Sequence, residues 1–202
     1  MDLRTAPLER VLDAFASSEP LPGGGSAAAL TGALGVSLLL MVAGMAKTRT
    51  GAPEETADLA AAAARLRPIR DELTTLIDED STAYLNVIAA YRQPKGTDEE
   101  RVRRRVAIQA ALRAAIEAPL QTMRACEQAL RDAPVVCRFG NPNAATDAVV
   151  GATLILAALE GAGLNVAVNL PAVTDADYAR ASAGERQALQ ASGRVFAGQA
   201  RS

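Results

Sequence analysis

The feature that most constrains this chain is an uncharged apolar segment from Ala27 to Ala46, which directly follows Pro22, three glycines and Ser26. A helix of this length without a charged face must be buried on all sides or cross a membrane. Thr31, Ser37 and the many small residues make the segment only mildly hydrophobic, so the sequence favours a buried helix over a membrane span.

Small residues on this helix allow a neighbouring backbone to come close, as happens at the centre of a bundle or at a dimer interface. Half of the 202 residues are apolar, yet alanine dominates, and the aromatic residues are three Tyr, three Phe and no Trp. Alanine favours helices over sheets. We therefore predict one all-α domain over residues 1–202, a multi-helix bundle around this Gly/Ala-rich helix that forms a homodimer.

Charge and cysteine content exclude several classes of protein. A net charge of −2 leaves no basic excess to bind nucleic acid. The first twenty residues carry six charged side chains, unlike a secretory signal. Two cysteines are too few for a secreted disulfide scaffold. These features predict a cytoplasmic protein with neither a membrane nor a nucleic acid as partner.

Hydrophobic periodicity and helix signals predict six or so helices. Val166 and Val168 alternate as in a strand, but no partner strand exists elsewhere, so residues 164–170 are expected to be a helix or an ordered link. Pro68 and Pro119 are expected to kink or divide their helices. The fourth helix is expected to start at a capping box at 97–100 and to have Val102, Val106, Leu112 and Ile116 on one face. The fifth is expected to be capped by Asn143. The expected helices are 3–16, 27–46, 54–91, 97 to about 130, 144–161 and 174–197.

The glycine turn before the apolar helix is a candidate ligand site. Glycines permit unusual backbone angles, and Ser26 can cap the helix. Bare amides at a helix N-terminus favour a carboxylate, phosphate or carbonyl oxygen. The alternative is that Gly23, Gly24 and Gly25 only form a turn, and no Lys-Ser/Thr pair makes this a nucleotide P-loop.

Asp80 is the most informative single residue. It interrupts an apolar stripe, standing seven residues after Leu73 and seven before Val87. Burial and the like charges of Asp78 and Glu79 would both raise its pKa toward the range useful to a general acid or base. The alternative is an ion pair with an arginine such as Arg70, which would lower the pKa, and spacing alone leaves both open.

These segments together resemble the formiminotetrahydrofolate cyclodeaminase / methenyltetrahydrofolate cyclohydrolase family. Residues 22–29 read Pro-Gly-Gly-Gly-Ser-Ala-Ala-Ala, followed by Gly-Ala-Leu-Gly at 32–35 and Met-Val at 41–42. The family is similar in an Asp-x-x-Ala-Phe segment, matched at 80–84 with Tyr84 in place of Phe. The resemblance runs from about Glu9 to Asp175. It implies a folate substrate, with Asp80 as proton donor and acceptor.

Further polar residues look like family segments or interrupt an apolar face. Gln109 lies within the stripe of its helix, and a buried Gln needs a partner from protein or ligand. Amides and carboxylates match the donors and acceptors of a pterin ring. The alternative for those at turns and helix starts is simple capping. The candidates for substrate binding are Gln109, Asn141, Asn143, Asp147, Asn165 and Asn169.

Lys47 and Arg49 stand where the family is similar in a Gly-Lys-Lys-Lys-Tyr stretch, from which this chain departs. They are candidates to hold one carboxylate of a folate tail, or exposed side chains without a function.

The chain contains no histidine, which excludes a Ser-His-Asp triad and a His-liganded zinc. The resemblance therefore implies metal-free hydrolysis of 5,10-methenyltetrahydrofolate or deaminating cyclisation of 5-formiminotetrahydrofolate, with no permanently bound cofactor. The alternative is a non-catalytic dimeric scaffold or folate-binding module. A cleft that joins Asp80 to the glycines would favour the enzyme.

Overall fold

The computed structural model describes residues 2–201; Met1 and Ser202, the two ends of the domain expected from the sequence, lie outside the described residues. Within that range the chain is helical and has no strand, so the all-α prediction is confirmed. Short 3-10 helices, Pro142–Ala144 and Leu170–Ala172, flank the fifth α-helix. The α-helices are α1 Leu8–Ala16, α2 Gly24–Ala43, α3 Pro53–Arg92, α4 Asp98–Phe139, α5 Ala145–Asn169 and α6 Ala176–Gln199.

Local sequence signals start several of these helices as expected. The Thr97 side chain accepts from the Glu100 amide and the Glu100 carboxylate accepts from the Thr97 amide, which is the predicted capping box of α4. Asp175 caps α6 by accepting from two backbone amides. The cap expected from Asn143 is wrong: α5 has no side-chain cap, and Asn141 instead caps the preceding 3-10 helix by accepting from the Asn143 amide. An Asx turn therefore precedes α5.

The expected divisions at proline are wrong. Helices α3 and α4 run uninterrupted for 40 and 42 residues, with Pro68 inside the first and Pro119 inside the second. Proline removes one backbone hydrogen bond from a helix. Because α3 and α4 pack against each other, tertiary contacts offset that loss. Residues 164–169 are helical, so the preference for a helix over a strand in this segment is confirmed.

The buried face of α4 is rotated relative to the sequence prediction. Val102 and Val106 are 57% and 66% exposed, whereas Leu112 and Ile116 are buried as expected. Ile108 is also buried and packs with Leu112 against Ala90 of α3. The error arises because valines on a solvated turn were assigned to the core by their type.

Helices α2 and α5 lie antiparallel and very close together. A Cβ on Gly24 would lie 3.5 Å from the Asn165 amide nitrogen, and one on Gly35 would lie 2.7 Å from the Gly151 carbonyl oxygen. Only glycine permits the second approach. Helix α2 also packs against α3 and α4.

One face of the α2–α5 pair is apolar and uncovered in the single chain. Leu34 is 55% exposed on α2, and Leu164 is 70% exposed on α5. Two segments, Gly24–Ala43 and Pro142–Ala172, have the length and mean hydropathy of a membrane span, at 2.0 and 1.7. Both also supply much of the bundle core, as soluble proteins allow.

Candidate active site

A cavity of about 300 Å³ opens at the N-terminal end of α2 and contains Asp80 together with the glycines. It lies between the loop before α2, the middle of α3 and the C-terminal end of α5. The sequence therefore correctly expected a cleft that joins Asp80 to the glycine segment. Its lining residues are Pro20, Leu21, Gly23, Gly24, Asp80, Tyr84, Val87, Ala115, Asn165, Val168 and Asn169.

The glycine segment is not the flexible turn that its composition suggests. Helix α2 begins at Gly24, Gly23 is its N-cap, and neither has a positive φ. Ser26 is not the cap: it is fully buried inside the first turn, and its hydroxyl lies 3.1 Å from the Ser81 hydroxyl. The glycines are required for close contact, since a Cβ on Gly25 would lie 2.0 Å from Asp80 Oδ1.

The Asp80 carboxyl is half-buried, and burial raises its pKa above the ordinary value of 3.8. A hydrogen bond from the backbone amide of Ser26 works in the opposite direction but is the smaller effect. This amide belongs to the first turn of α2, where the helix dipole also favours negative charge. A carboxyl with a raised pKa inside a cavity is better suited to giving and taking protons than an exposed one.

The alternative of an Asp80–Arg70 ion pair does not occur. Arg70 pairs with Asp71, its neighbour in sequence, at 2.6 Å. The like charge of Asp78 is not among the causes of the raised pKa, because Asp78 pairs with Arg4 at 2.9 Å. Burial alone therefore carries the upward shift that the sequence attributed to two causes.

Two asparagines from α5 face the cavity with free oxygens. The Asn165 side-chain nitrogen donates to the Gly161 carbonyl at 3.0 Å, and that of Asn169 donates to the carbonyls of Ala115 and Asn165. These bonds fix both amide planes. Within residues 2–201 the Oδ1 atoms of both asparagines have no hydrogen bond, so they can accept from a ligand.

Tyr84 lies on the rim of the same cavity and is 40% exposed. The apolar stripe on α3 therefore contributes to the core at one end and to the cavity at the other. Leu73 is fully buried in the core, whereas Tyr84 and Val87, after Asp80, line the cavity.

Gln109 does not line this cavity. Its side chain donates to the Ala172 carbonyl and accepts from the amide and hydroxyl of Thr174. The amide thus holds the link between α5 and α6 against α4. The sequence left open whether Gln109 bonds to protein or to ligand, and in the structure its partners are protein groups.

The remaining predicted residues lie at the opposite end of α2. Twenty helical residues separate Gly24 from the connector that follows Ala43, a distance of roughly 30 Å. The Arg49 amide donates to the Phe139 carbonyl there, next to the turn before α5. In the single chain this end holds Lys47, Arg49, Asn141, Asn143 and Asp147, none of which lines the cavity.

Comparison with known proteins identifies the family. The family model described as formiminotransferase-cyclodeaminase matches residues 7–188. This chain belongs to that family. The cyclodeaminase family assignment suggested by the glycine segment and Asp80 is thus confirmed.

Relatives in this cyclodeaminase family are enzymes of folate one-carbon chemistry. The chain is 38% identical over 184 residues to the methenyltetrahydrofolate cyclohydrolase of Methylorubrum extorquens, which covers 91% of this chain and 88% of that one. It is 33% identical over 176 residues to the formimidoyltransferase-cyclodeaminase of Gallus gallus, of whose length the match spans 32%.

The fold also matches a solved member of the cyclodeaminase family. The crystal structure of formiminotetrahydrofolate cyclodeaminase from Thermotoga maritima superposes with a TM-score of 0.86, covering 98% of this chain and 96% of that one. The sequence identity is 23%, so this likeness concerns the fold.

Sequence reasoning missed several residues of the cavity and one neighbour of Asp80. Ser81 was visible only as the residue after Asp80, and it contacts Ser26. Val168 lies one turn after Asn165 on α5, a spacing that could have placed it beside the asparagines. Ala115 gave no signal, because it is one alanine among many on α4.

Proposed function

We propose that this protein hydrolyses 5,10-methenyltetrahydrofolate, with Asp80 as general acid and base and without a permanently bound cofactor. The observation that carries the proposal is the position of Asp80, a carboxyl of raised pKa in a cavity with two hydrogen-bond acceptors from α5. The full-length similarity to a methenyltetrahydrofolate cyclohydrolase supports this choice of substrate. A cavity at Asp80 also argues against a purely structural scaffold.

In the proposed reaction the cationic methenyl carbon accepts the oxygen of water while Asp80 takes one of its protons. The resulting carbinol opens by cleavage of the bond between that carbon and N5. Asp80 returns its proton to N5, and the second proton of the original water is released as the carbonyl forms. The product is 10-formyltetrahydrofolate. An electrophile that already carries positive charge needs a positioned acid and base more than a Lewis acid.

The two asparagines of α5 are proposed to orient the pterin. Their free Oδ1 atoms would accept from ring N–H groups, while Tyr84 covers one face of the ligand. Because the asparagine nitrogens are held by helix carbonyls, the acceptors are fixed before the ligand arrives.

Deaminating cyclisation of 5-formiminotetrahydrofolate is the second candidate, favoured by the similarity to the Gallus gallus enzyme. There N10 attacks the formimino carbon, and Asp80 carries the proton from N10 to the leaving amino group as ammonia departs. Both reactions use the same carbon and the same carboxyl.

The test follows the near-ultraviolet absorbance of 5,10-methenyltetrahydrofolate with purified protein, and repeats the assay with the formimino substrate. We expect Asp80→Asn to lower kcat by about two to four orders of magnitude, the usual range for loss of a general acid–base. Asp78→Asn is the matched control, since Asp78 is bound to Arg4 and does not line the cavity. Equal turnover by Asp80→Asn and wild type would remove Asp80 from the mechanism.

We further propose that the protein is a cytoplasmic homodimer joined through the apolar face of α2 and α5. Two helices side by side give a face of roughly 20 Å by 25 Å, about 500 Å², at the upper end of what monomers expose. No charged side chain interrupts it. We name it the α2–α5 face, made of Leu30, Leu34, Leu38, Met41, Val150, Leu154, Ala157, Leu164 and Val168.

Substitution on the α2–α5 face tests the dimer. We expect Leu34→Arg to halve the mass measured by light scattering on a sizing column. Val195→Arg is the matched control, since Val195 is 56% exposed on α6 and Leu34 is 55% exposed. A monomeric wild type, or a Leu34→Arg dimer, would contradict the proposal.

A dimer of this kind would also explain why the predicted site residues lie at both ends of α2. With the two-fold axis perpendicular to α2, Asn143 of the partner subunit would approach the cavity that contains Asp80. Mixing inactive Asp80→Asn with Asn143→Ala subunits should then restore up to about a quarter of the wild-type sites, because about half of the pairs are mixed and each mixed pair has one intact site. No recovery after subunit exchange would leave each cavity complete within one chain.

A further inference from the structure

The hydroxyls of Ser26 and Ser81 form a contact between α2 and α3 directly beside Asp80. Their oxygen atoms lie 3.1 Å apart, so one hydroxyl donates and the other accepts. Ser26 is fully buried and Ser81 is half-buried. Within residues 2–201 neither hydroxyl has a second hydrogen-bond partner, so each depends on the other.

This pairing differs from that of other hydroxyls on the same two helices. On α2 the hydroxyls of Thr31 and Ser37 donate to carbonyls four residues earlier, at 2.8 Å and 2.7 Å. On α3 the hydroxyl of Thr82 does the same with the Asp78 carbonyl, at 3.0 Å. Bonds of this kind stay within one helix. The hydroxyl of Ser81 bonds across to α2 instead, so it ties the position of one helix to the other.

Ser26 contacts two consecutive residues of α3. Its backbone amide donates to the Asp80 carboxyl, and its hydroxyl meets Ser81. Two contacts from one residue fix both the rotation of the first turn of α2 and its distance from α3. A bond from an amide to a carboxylate is charge-assisted and weakens steeply as its length and angle change. A small movement of this turn therefore changes the surroundings of Asp80.

The turn is restrained from both directions. A Cβ on Gly25 would lie 2.0 Å from Asp80 Oδ1 and 2.3 Å from its Cγ, so the backbone of α2 already contacts the carboxyl closely. Close packing limits any further approach, whereas the hydroxyl pair opposes separation of the turn from α3.

We propose that the Ser26–Ser81 hydroxyl pair is a positioning device, which holds the first turn of α2 against α3 so that the Ser26 amide meets the Asp80 carboxyl. The inference rests on the proposed function, in which Asp80 is the general acid and base. The cavity that contains Asp80 is lined by neither serine, so both hydroxyls act through Asp80 and not on the substrate.

Ser81 can be substituted without filling a closed space. It lines a second cavity, of about 490 Å³, together with Thr82 and Leu85. Leu21 lines this cavity as well as the one that contains Asp80, so the two are neighbours. A side chain of different size at position 81 therefore has room, and variants there should fold.

The charged groups around Asp80 leave its pKa a clear measure of position. Asp78 pairs with Arg4 at 2.9 Å, and Glu79 is exposed. In the described part of the chain, the cavity lining contains no other charged side chain, and Tyr84 is its other titratable residue. The causes that shift the pKa of Asp80 are burial and the amide bond from α2. A change in that bond should therefore appear directly in the pKa.

The experiment compares Ser81→Ala with wild type by two measurements. Carbon NMR follows the titration of the Asp80 carboxyl, assigned with Asp80→Asn, and the absorbance assay gives kcat and KM for 5,10-methenyltetrahydrofolate. The amide bond lowers the pKa of Asp80, so we expect the pKa to rise when that bond lengthens. We expect kcat to fall by about five- to tenfold, the equivalent of one hydrogen bond, while KM stays unchanged.

Ser26→Ala removes the other half of the pair and should act in the same direction. It also carries the test if Ser81→Ala does not fold, because the Ser81 hydroxyl that it leaves can turn into the second cavity. The double variant should be no worse than Ser81→Ala alone, since the two hydroxyls form one contact.

Two further variants separate positioning from general stability. Ser81→Thr keeps the hydroxyl and should retain the wild-type pKa of Asp80 and the wild-type kcat. Thr82→Ala is the matched control, because Thr82 lines the same second cavity and loses a hydroxyl that bonds within α3. It should leave the pKa, kcat and KM unchanged.

The outcomes distinguish this inference from the proposed function. An unchanged pKa of Asp80 in the single serine variants, or losses of kcat that add up in the double variant, overturns the positioning role. Turnover by wild type then still supports the enzyme. Absence of turnover by wild type on either folate substrate overturns the proposed function, while the NMR titration still decides whether the pair positions the carboxyl.

Discussion

The contact between Gly25 and Asp80 makes Gly25→Ala a sharp test of the site. The new Cβ would lie 2.0 Å from Asp80 Oδ1 and 2.3 Å from its Cγ. Moving from 2.0 Å to the 3.4 Å of an ordinary contact shifts the carboxyl by about 1.4 Å. The Ser26 amide would lose its bond to Asp80 at the same time.

Gly25→Ala should lower both the stability of the protein and its rate of turnover, whereas helix propensity alone would raise the stability. Alanine is a better helix former than glycine by about 1 kcal/mol, so an isolated helix would gain stability. Overpacking against the carboxyl costs about 1–3 kcal/mol, so we expect a net loss of roughly 1 kcal/mol in the free energy of unfolding. A displacement of about 1 Å at a catalytic group can cost about a hundredfold in rate.

Denaturant unfolding and the absorbance assay measure the two effects. Gly24→Ala is the near control, because its Cβ would meet Asn165 at an ordinary 3.5 Å, and Gly184→Ala is the distant one, with open space around it. In an Asp80→Ala background the clash is gone, and Gly25→Ala should become neutral or stabilising. Full activity and stability of Gly25→Ala in the wild-type background would refute the close contact.

Two further predictions concern pH. Burial raises the pKa of Asp80, so the folded state is destabilised as the pH rises above 3.8 and the carboxyl becomes charged. Asp80→Asn should therefore be more stable than wild type at pH 7, and the difference should vanish as the pH falls toward 3.8. Hydrogen bonds from Thr48 and Thr50 lower the pKa of Glu55. Glu55→Gln should therefore be less stable than wild type at pH 7, and the difference should close as the pH falls below 4.5. Glu54 is exposed, so Glu54→Gln should stay close to wild type. Unfolding curves across a pH series check both, and parallel curves would contradict them.

Much of the fold could be predicted from local sequence, because helix signals act over a few residues. Alanine content and apolar periodicity indicated an all-helical chain, and the capping box at Thr97 fixed the start of α4. The prolines misled for the same reason. Pro68 and Pro119 disfavour a helix locally, whereas packing of α3 on α4 keeps both helices whole.

Half of the candidate site could also be predicted. Asp80 and the glycines were expected together, and both line one cavity. The sequence suggested that the glycines allow unusual backbone angles, but Gly25 has no such angle. It is required because a side chain there would overlap the Asp80 carboxyl. Which charge faces Asp80 depended on where Arg70 and Asp78 point, and spacing along one helix does not reveal that.

The sequence by itself determined that this chain forms helices, that one of them is long and uncharged, and that a carboxyl interrupts an apolar stripe. These properties follow from residue type and from a period of 3.6, which neighbours along the chain already define. Only the tertiary structure decided which polar residues meet. Because α2 extends for roughly 30 Å, it brings Asn165 to Gly24 and leaves Lys47 and Asn143 at its far end.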